Sequence, residues 1–372
     1  MFPNLFSPIE IEGIPLKNRL TMAPLYLGYA GEGGTVSAML LDHYRLMARS
    51  GVAMVVVENC TIDFECGSGS RRTLRADADE HLEGLRSLAA AIQSEGALAC
   101  AQINHAGRFA AAAKEPVAPS AVETFGRMPR PLGTEDILRI QDQFVRAACR
   151  MKDAGFDMVE LHGGTGYLLA QFLSPRTNRR SDGYGGSPEN RRRFFLETVL
   201  RVKAAVGDFP VGCRFLADEW LPDGLTLSES IPCAAALSDL KVAYISVMGG
   251  TYESFFLPEI VQKSKSAGYM LDLAAAVKAS VDVPVIAAGR IDSGALAERT
   301  ISENRADMIG LARVLWADPE WPEKVRTGRE DEILHCDPDC GDACIQMVMK
   351  GRPAYCVQWP PDKMKAWKAR FV

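Results

Sequence analysis

Two stretches decide the fold: Val283-Pro284-Val285-Ile286-Ala287-Ala288-Gly289-Arg290 and, further on, Met308-Ile309-Gly310-Leu311-Ala312-Arg313. Each is a short, wholly apolar run closed by glycine and arginine, and a helical pattern over Ser293–Asn304 separates them. A strand with no polar alternation is buried on both faces, as in a parallel sheet covered by helices. Working back towards the N-terminus, runs of the same kind occupy Arg19–Pro24, Met54–Glu58, Leu98–Ile103, Met158–Leu161, Val211–Phe215 and Tyr244–Val247. Amphipathic stretches lie between them at Ser37–Ser50, Glu80–Glu95, Glu135–Ala154, Pro188–Val206, Leu227–Leu240 and Leu271–Ser280. Eight strands, each followed by a helix or long loop, predict an α/β chain folded as a (β/α)8 TIM barrel over residues 1–318. Residues 319–372 form a C-terminal cysteine-rich extension. A doubly wound open sheet competes with this reading, but no G-x-G-x-x-G opens a first helix as a dinucleotide-binding unit requires.

The chain of 372 residues is 47% hydrophobic and 24% charged, which excludes a disordered or fibrous protein. Its 42 Lys+Arg against 47 Asp+Glu leave a net charge of −5 without any basic run, so no nucleic-acid partner is expected. No apolar stretch reaches the ~18 residues of a membrane helix, and the N-terminus lacks the pattern of a secretory signal. No membrane association and a cytoplasmic location are the expectation. Six of the ten cysteines are scattered, several inside apolar runs. The other four, Cys336, Cys340, Cys344 and Cys356, crowd into the extension, which in a reducing compartment points to metal or redox chemistry.

A parallel barrel places its chemistry at the C-terminal ends of its strands. Gly289-Arg290 and Gly310 to Arg313 fall on the two loops where phosphate sites recur: glycine lets backbone N–H groups approach an anion, and an arginine fork grips its oxygens. Turning the chain and leaving the arginines solvated is the plainer alternative. Gln102 ends the third strand, and Arg214 interrupts a buried run, where it needs an acceptor or an anion. A salt bridge to Glu58 or Glu160 would satisfy it. A planar, hydrogen-bonding cofactor such as a flavin would satisfy it together with the phosphate grip.

The segment after the fourth strand carries most information: Glu160-Leu161-His162-Gly163-Gly164-Thr165-Gly166-Tyr167, then Gln171-Phe172-Leu173-Ser174-Pro175-Arg176. With Pro15-Leu16-Lys17-Asn18-Arg19, Met22-Ala23-Pro24, Gln102-Ile103-Asn104-His105-Ala106-Gly107-Arg108, Ala288-Gly289-Arg290 and Gly310 to Asp318, it closely resembles the old yellow enzyme family of FMN-dependent ene-reductases over almost the whole chain. The resemblance implies that Pro24, Leu25, Tyr26, Cys60 (through its backbone), Gln102, Arg214, Gly289, Arg290, Gly310 and Arg313 hold FMN, with Arg214 at the N1/O2 edge. It implies that His162 and Thr165 bind a substrate carbonyl oxygen and that Tyr167 protonates the α-carbon. Relatives usually carry Asn or His where Thr165 stands, so carbonyl binding would rest mainly on His162. Tyr26, Tyr252, Glu253 and Phe255 are expected to line the substrate pocket.

The extension reads C-x3-C-x3-C-x11-C. Zinc sites usually pair cysteines as C-x2-C, so four clustered thiols of this spacing fit an iron–sulfur cluster better. A helical stripe, with Cys336, Cys340 and Cys344 four residues apart, is interrupted by Pro338 and omits Cys356. The segment resembles the iron–sulfur branch of the same family, that of bacterial dienoyl-CoA reductase and clostridial enoate reductases, and Arg176-Thr177-Asn178 resembles it too. A [4Fe-4S] cluster passing electrons to FMN is implied. That branch has C-x2-C at the start, so Cys336 departs by one residue, and His335 or Asp337 could substitute for it. The branch also continues into FAD- and NAD(P)H-binding domains, whereas the sequence stops at Val372, which suggests a separate electron-donor protein or subunit, or direct reduction by NADH. The implied reaction is reduction of a C=C bond conjugated to a carbonyl, in an enone, enoate or CoA thioester. The alternatives are amine oxidation on the same fold, a zinc-dependent non-redox barrel enzyme, and an electron-transfer subunit without a substrate of its own.

Overall fold

A computed structural model describes residues 2–371. Eight parallel strands close into a barrel in chain order: β1 (Leu20–Met22), β2 (Met54–Thr61), β3 (Leu98–Asn104), β4 (Met158–Gly163), β5 (Val211–Asp218), β6 (Ile245–Gly249), β7 (Val285–Ala287) and β8 (Met308–Leu311), with β8 returning to β1. All eight runs read as strands therefore lie in one closed sheet. Their ends shift by a few residues for local reasons. Pro24 and Pro284 have no N–H for a ladder, so β1 stops at Met22 and β7 starts at Val285.

The long helices are α1 (Ala38–Arg49), α2 (Leu82–Gln93), α3 (Thr134–Asp153), α4 (Pro188–Val206), α5 (Leu227–Asp239), α6 (Leu271–Lys278) and α7 (Gly294–Ser302). Ser37, Ser187 and Ser293 cap α1, α4 and α7 by accepting from the N–H groups of Leu40, Asn190 and Leu296. Each cap satisfies an otherwise unpaired N-terminal donor. One large apolar cluster lies between strands and helices, and a smaller one of Met54, Val56, Cys100, Met158, Tyr244, Ile286 and Met308 forms a second layer. Ile11 and Leu16, from a hairpin pairing Ile9–Ile11 with Ile14–Leu16, join that smaller cluster. That hairpin was not among the strands read from the sequence.

Two irregularities matter for the mouth. The β2–β3 register shifts between Val57 and Cys60, which re-aims Glu58 and Asn59, and the β5–β6 register shifts at Met248/Gly249. In the extension, Cys336 and Cys356 lie in irregular chain, Cys340 in a bend, and Cys344 is the second residue of the short helix Ala343–Met349. The cysteines thus form no continuous helical stripe, as Pro338 led one to expect. The extension packs back on the barrel: the Ala354 N–H donates to the Leu27 carbonyl (2.9 Å) and the Tyr29 hydroxyl to the Ala354 carbonyl (2.8 Å). Among the described residues no helix is long and apolar enough to cross a membrane.

Candidate active site

His162, the last residue but one of β4, is almost fully buried. Its Nδ1 accepts from the Gly164 N–H (3.2 Å), so the neutral ring carries its proton on Nε2, which faces outward as a donor. Burial, with the Arg214 cation adding to it, holds the imidazole pKa well below its usual value, so the ring stays neutral. Tyr167 stands edge-on to it, with ring centroids 4.8 Å apart. The Tyr167 hydroxyl is bonded to the Tyr252 hydroxyl (2.7 Å) and accepts a longer contact from Asn59 Nδ2 (3.5 Å). Burial pushes the Tyr167 pKa well up, so the phenol keeps its proton across the physiological range. Tyr252 and the phenol of Tyr26 are raised by burial in the same way.

Thr165 lies between them at φ +57°. A β-branched side chain is uncommon in this left-handed region, where Asn is tolerated far better. Its hydroxyl donates to the Met248 sulfur (3.4 Å), a weak acceptor. Gly166 has a clear steric role, because a Cβ there would lie 3.0 Å from the Phe109 ring and 3.1 Å from Thr251.

Below this corner lies a polar layer. Gln102 donates to Glu160 (2.7 Å), and Glu160 also accepts from the Tyr244 hydroxyl (3.0 Å). Neither Glu58 nor Glu160 forms a salt bridge with Arg214. Its Nη1 donates instead to Ser246 (2.7 Å), a residue the sequence reading did not single out, and its buried Nε has no partner among the described residues. Glu58 accepts from the Leu27 N–H through one oxygen while the other is unpaired among the described residues, and burial raises its pKa to about 8. The Asn59 Oδ1 is also unpaired. Buried polar atoms without partners are costly in a finished interior and are the mark of a site shaped for a polar ligand. The donor set fits FMN: Arg214 keeps an N–H without a partner among the described residues for an anionic ring edge, and Gly289 follows β7, whereas Gly310, expected in the loop after β8, lies inside that strand. At Gly289 (φ +110°) a Cβ would meet Met270 at 2.9 Å.

The arginines that follow β7 and β8 have protein partners. Arg290 donates to the carbonyls of Ser264 (2.9 Å) and Cys336 (2.7 Å), and Arg313 pairs with Asp342 (2.8 Å). Arg290 therefore bridges the barrel and the extension, and Arg313 is turned towards the extension. Arg313 also lines one small cavity with Cys336, Cys340, Cys344 and Cys356. Burial raises the Cys344 thiol to about 11 and raises Cys356 as well. All ten cysteines are free thiols. Among the described residues no three His, Cys, Asp or Glu side chains are arranged to hold a metal ion.

Of the expected pocket residues, Tyr26, Tyr252 and Phe255 do lie near Tyr167: Tyr252 by hydrogen bond, Phe255 with its ring 6.4 Å from that of Tyr252, and Tyr26 close enough to act on both phenols electrostatically. Glu253 turns to two arginines, forming a short ion pair with buried Arg108 and a second with Arg176 (3.3 Å). Phe109 and Asn59, which the sequence reading assigned no role, complete the corner. Their strand-end position was visible in the sequence, but their direction was set by the β2 bulge and the loop after β3.

A family profile described as NADH:flavin oxidoreductase / NADH oxidase matches residues 4–332, and the chain belongs to that family. It is 43% identical over 352 residues to an NADH oxidase of Thermoanaerobacter brockii, covering 92% of this chain and 54% of that protein. It is 37% identical over 321 residues to an NADPH dehydrogenase of Geobacillus sp., covering 86% and 92%. Among solved structures, a 2-naphthoyl-CoA reductase complex superposes with a TM-score of 0.91 at 30% identity, over 97% of this chain and 57% of that one. Histamine dehydrogenase from Rhizobium sp. 4-9 superposes with 0.86 at 30% identity, over 96% and 52%. The chain spans about half the length of several of these relatives.

Proposed function

We propose that this chain is the FMN-binding barrel of an ene-reductase acting on a C=C bond conjugated to a carbonyl, in an enone, enoate or enoyl/dienoyl-CoA thioester. Pro24, Leu25, Tyr26, Cys60, Gln102, Arg214, Gly289, Arg290, Gly310 and Arg313 would hold the cofactor. FMN, when bound, supplies the hydride that the β-carbon receives. His162, through its Nε2–H, donates to the carbonyl oxygen as negative charge builds there, and such a donor is worth ~2.7–4 kcal/mol in the transition state. Thr165 contributes little, because its single hydroxyl is turned to Met248. Tyr167 gives its proton to the α-carbon, and Tyr252, bonded to it, orients the phenol and can restore the proton. One observation carries the reading: a buried, protonated Tyr167 lies edge-on to a neutral imidazole whose Nδ1 is already occupied.

We further assign a [4Fe-4S] cluster to Cys336, Cys340, Cys344 and Cys356. What supports it is four free thiols lining one cavity beside an arginine. These four thiols would hold the cluster, which would supply single-electron transfer to the flavin. Electrons would come from NADH or a donor protein.

Amine oxidation remains a second reading because of the superposition with histamine dehydrogenase. It is disfavoured by Glu253, the carboxylate a cationic substrate would meet, since two arginines already neutralise it. The test is anaerobic: flavin-loaded protein, reduced chemically, is mixed with 2-cyclohexen-1-one, and oxidised protein with histamine. Reoxidation by the enone, strongly slowed in Tyr167→Phe, is expected. Reduction by the amine with no response to the enone would overturn the assignment.

A further inference from the structure

The loop between β3 and α3 carries a feature that neither the fold nor the chemistry above requires. Thr124 and Arg127 exchange backbone hydrogen bonds (2.8 and 3.0 Å), and the two residues between them, Phe125 and Gly126, have φ of +48° and +75°. This is the pattern of a type I′ turn, whose first central position favours Asn, Asp or Gly. A phenylalanine there is both conformationally strained and, at 66% exposure, left in water. Closing the turn requires neither.

The turn is also fastened. Arg127 donates to the carbonyls of Ala110 (3.2 Å) and Ala113 (2.6 Å), and buried Arg108 donates to the Thr124 hydroxyl (3.1 Å). Phe125 is thereby fixed over Phe109, with ring centroids 5.8 Å apart and planes 34° from parallel. Phe109 in turn meets Tyr252 edge-on at 5.2 Å and Tyr167 at 6.5 Å. Ala106, Phe109, Ala110, Ala113 and Tyr167 form an apolar cluster separate from the main core. An unbroken aromatic path thus runs from solvent to the proton donor.

We infer that Phe125 is a specificity-determining residue, and that the preferred substrates carry an aromatic ring conjugated with the reducible bond, which the Phe125–Phe109 pair receives. The exposure of the free protein is then removed when a planar ring covers the Phe125 face. The inference rests on the ene-reductase reading and names the substrate class within it.

Phe125→Asn tests it, because Asn suits the turn and the variant is expected to fold at least as well. Reduced holoenzyme is mixed with 4-phenylbut-3-en-2-one and with 2-cyclohexen-1-one, and half-saturation and limiting rate are measured for each. The expected result is a rise of about three- to tenfold in half-saturation for the aryl enone relative to the cyclic one, with the limiting rates not responsible for it. Parallel changes for both substrates, no change, or a change in oligomeric mass by light scattering (a self-association surface instead) would overturn the inference. If wild-type protein reduces neither alkene, the ene-reductase reading fails. Calorimetric titration of oxidised holoenzyme with 4-phenylbutan-2-one and butan-2-one then still decides whether Phe125 selects an aromatic ring.

Discussion

The barrel mouth and the cysteine loop are built on opposite terms. At the mouth, His162, Tyr167, Gln102 and Glu160 project from closed strands or the turn just after them, nearly all their surface is buried, and their hydrogen bonds fix orientation. In the extension, Cys336, Cys340, Cys344 and Cys356 are half-buried and of the four only Cys344 lies in a helix, while the segment is tied to the barrel at Leu27, Tyr29, Arg290 and Arg313 among other places. Strands preorganise a site before any ligand arrives, whereas a loop of thiols gains its order from what it binds. The two regions meet at Arg290 and Arg313, which follow β7 and β8 and reach the extension.

The sharpest way to break this contrast is at Tyr167. Tyr167→Phe leaves the aromatic packing in place and removes only the proton, so reoxidation of the reduced flavoprotein by an enone is expected to slow about 100- to 10,000-fold, read by stopped-flow absorbance. Retained flavin spectra with a large rate loss would show that the mouth is rigid without that hydroxyl. Next in size is Cys344→Ser. Iron and sulfide analysis of anaerobically purified protein is expected to show most of the cluster lost, while flavin absorbance persists because the mouth does not depend on the loop. Loss of flavin along with iron would mean that Arg290 and Arg313 couple the two regions tightly.

Glu58 gives a smaller effect with a defined sign. Its carboxyl is held at about 8 in the fold against an ordinary 4.5, so between these values the folded state binds the proton that the unfolded state has released. Stability should therefore fall as pH rises through this window. Buried His43 and His105, lowered to about 3 and 4, act in the opposite sense, but only below about 6.5, where the unfolded histidines take up protons. Above about pH 6.5 the histidines no longer contribute, while burial also raises Glu160 and Glu219 and gives them the same sign as Glu58, so Glu58→Gln is expected to lessen the fall of the thermal midpoint between pH 6.5 and 8 without abolishing it. A wild-type midpoint with no slope there would contradict the assignment of a neutral Glu58. The smallest change is Thr165→Asn, which relieves a β-branched residue at positive φ. It is expected to stabilise the protein by about 1 kcal/mol in denaturant titration.

Much of this site was legible because barrel strands are continuous apolar runs whose ends can be located by composition. His162, Tyr167, Gln102 and Arg214 were all found in that way. Other residues escaped for physical reasons. Ser246 is an unremarkable serine until the β5–β6 register sets it opposite Arg214. Asn59 reaches Tyr167 only through the β2 bulge. Phe125 lies in a loop without periodicity, and its importance comes from a turn geometry that its residue type does not announce. The pairing of Glu253 with Arg108 and Arg176 spans segments far apart in the chain, so nothing local announces it.

The order of apolar runs and helical patterns was enough to specify eight strands, their direction and the end at which chemistry gathers, because burial on both faces and the 3.6-residue period are local properties of the chain. Which donors are free, which phenol shares its proton with which neighbour, and where the arginines of the last two loops turn were decided only by tertiary packing. Those outcomes depend on register, bulges and long-range hydrogen bonds, and each is a choice among partners that the chain brings together only when the barrel closes.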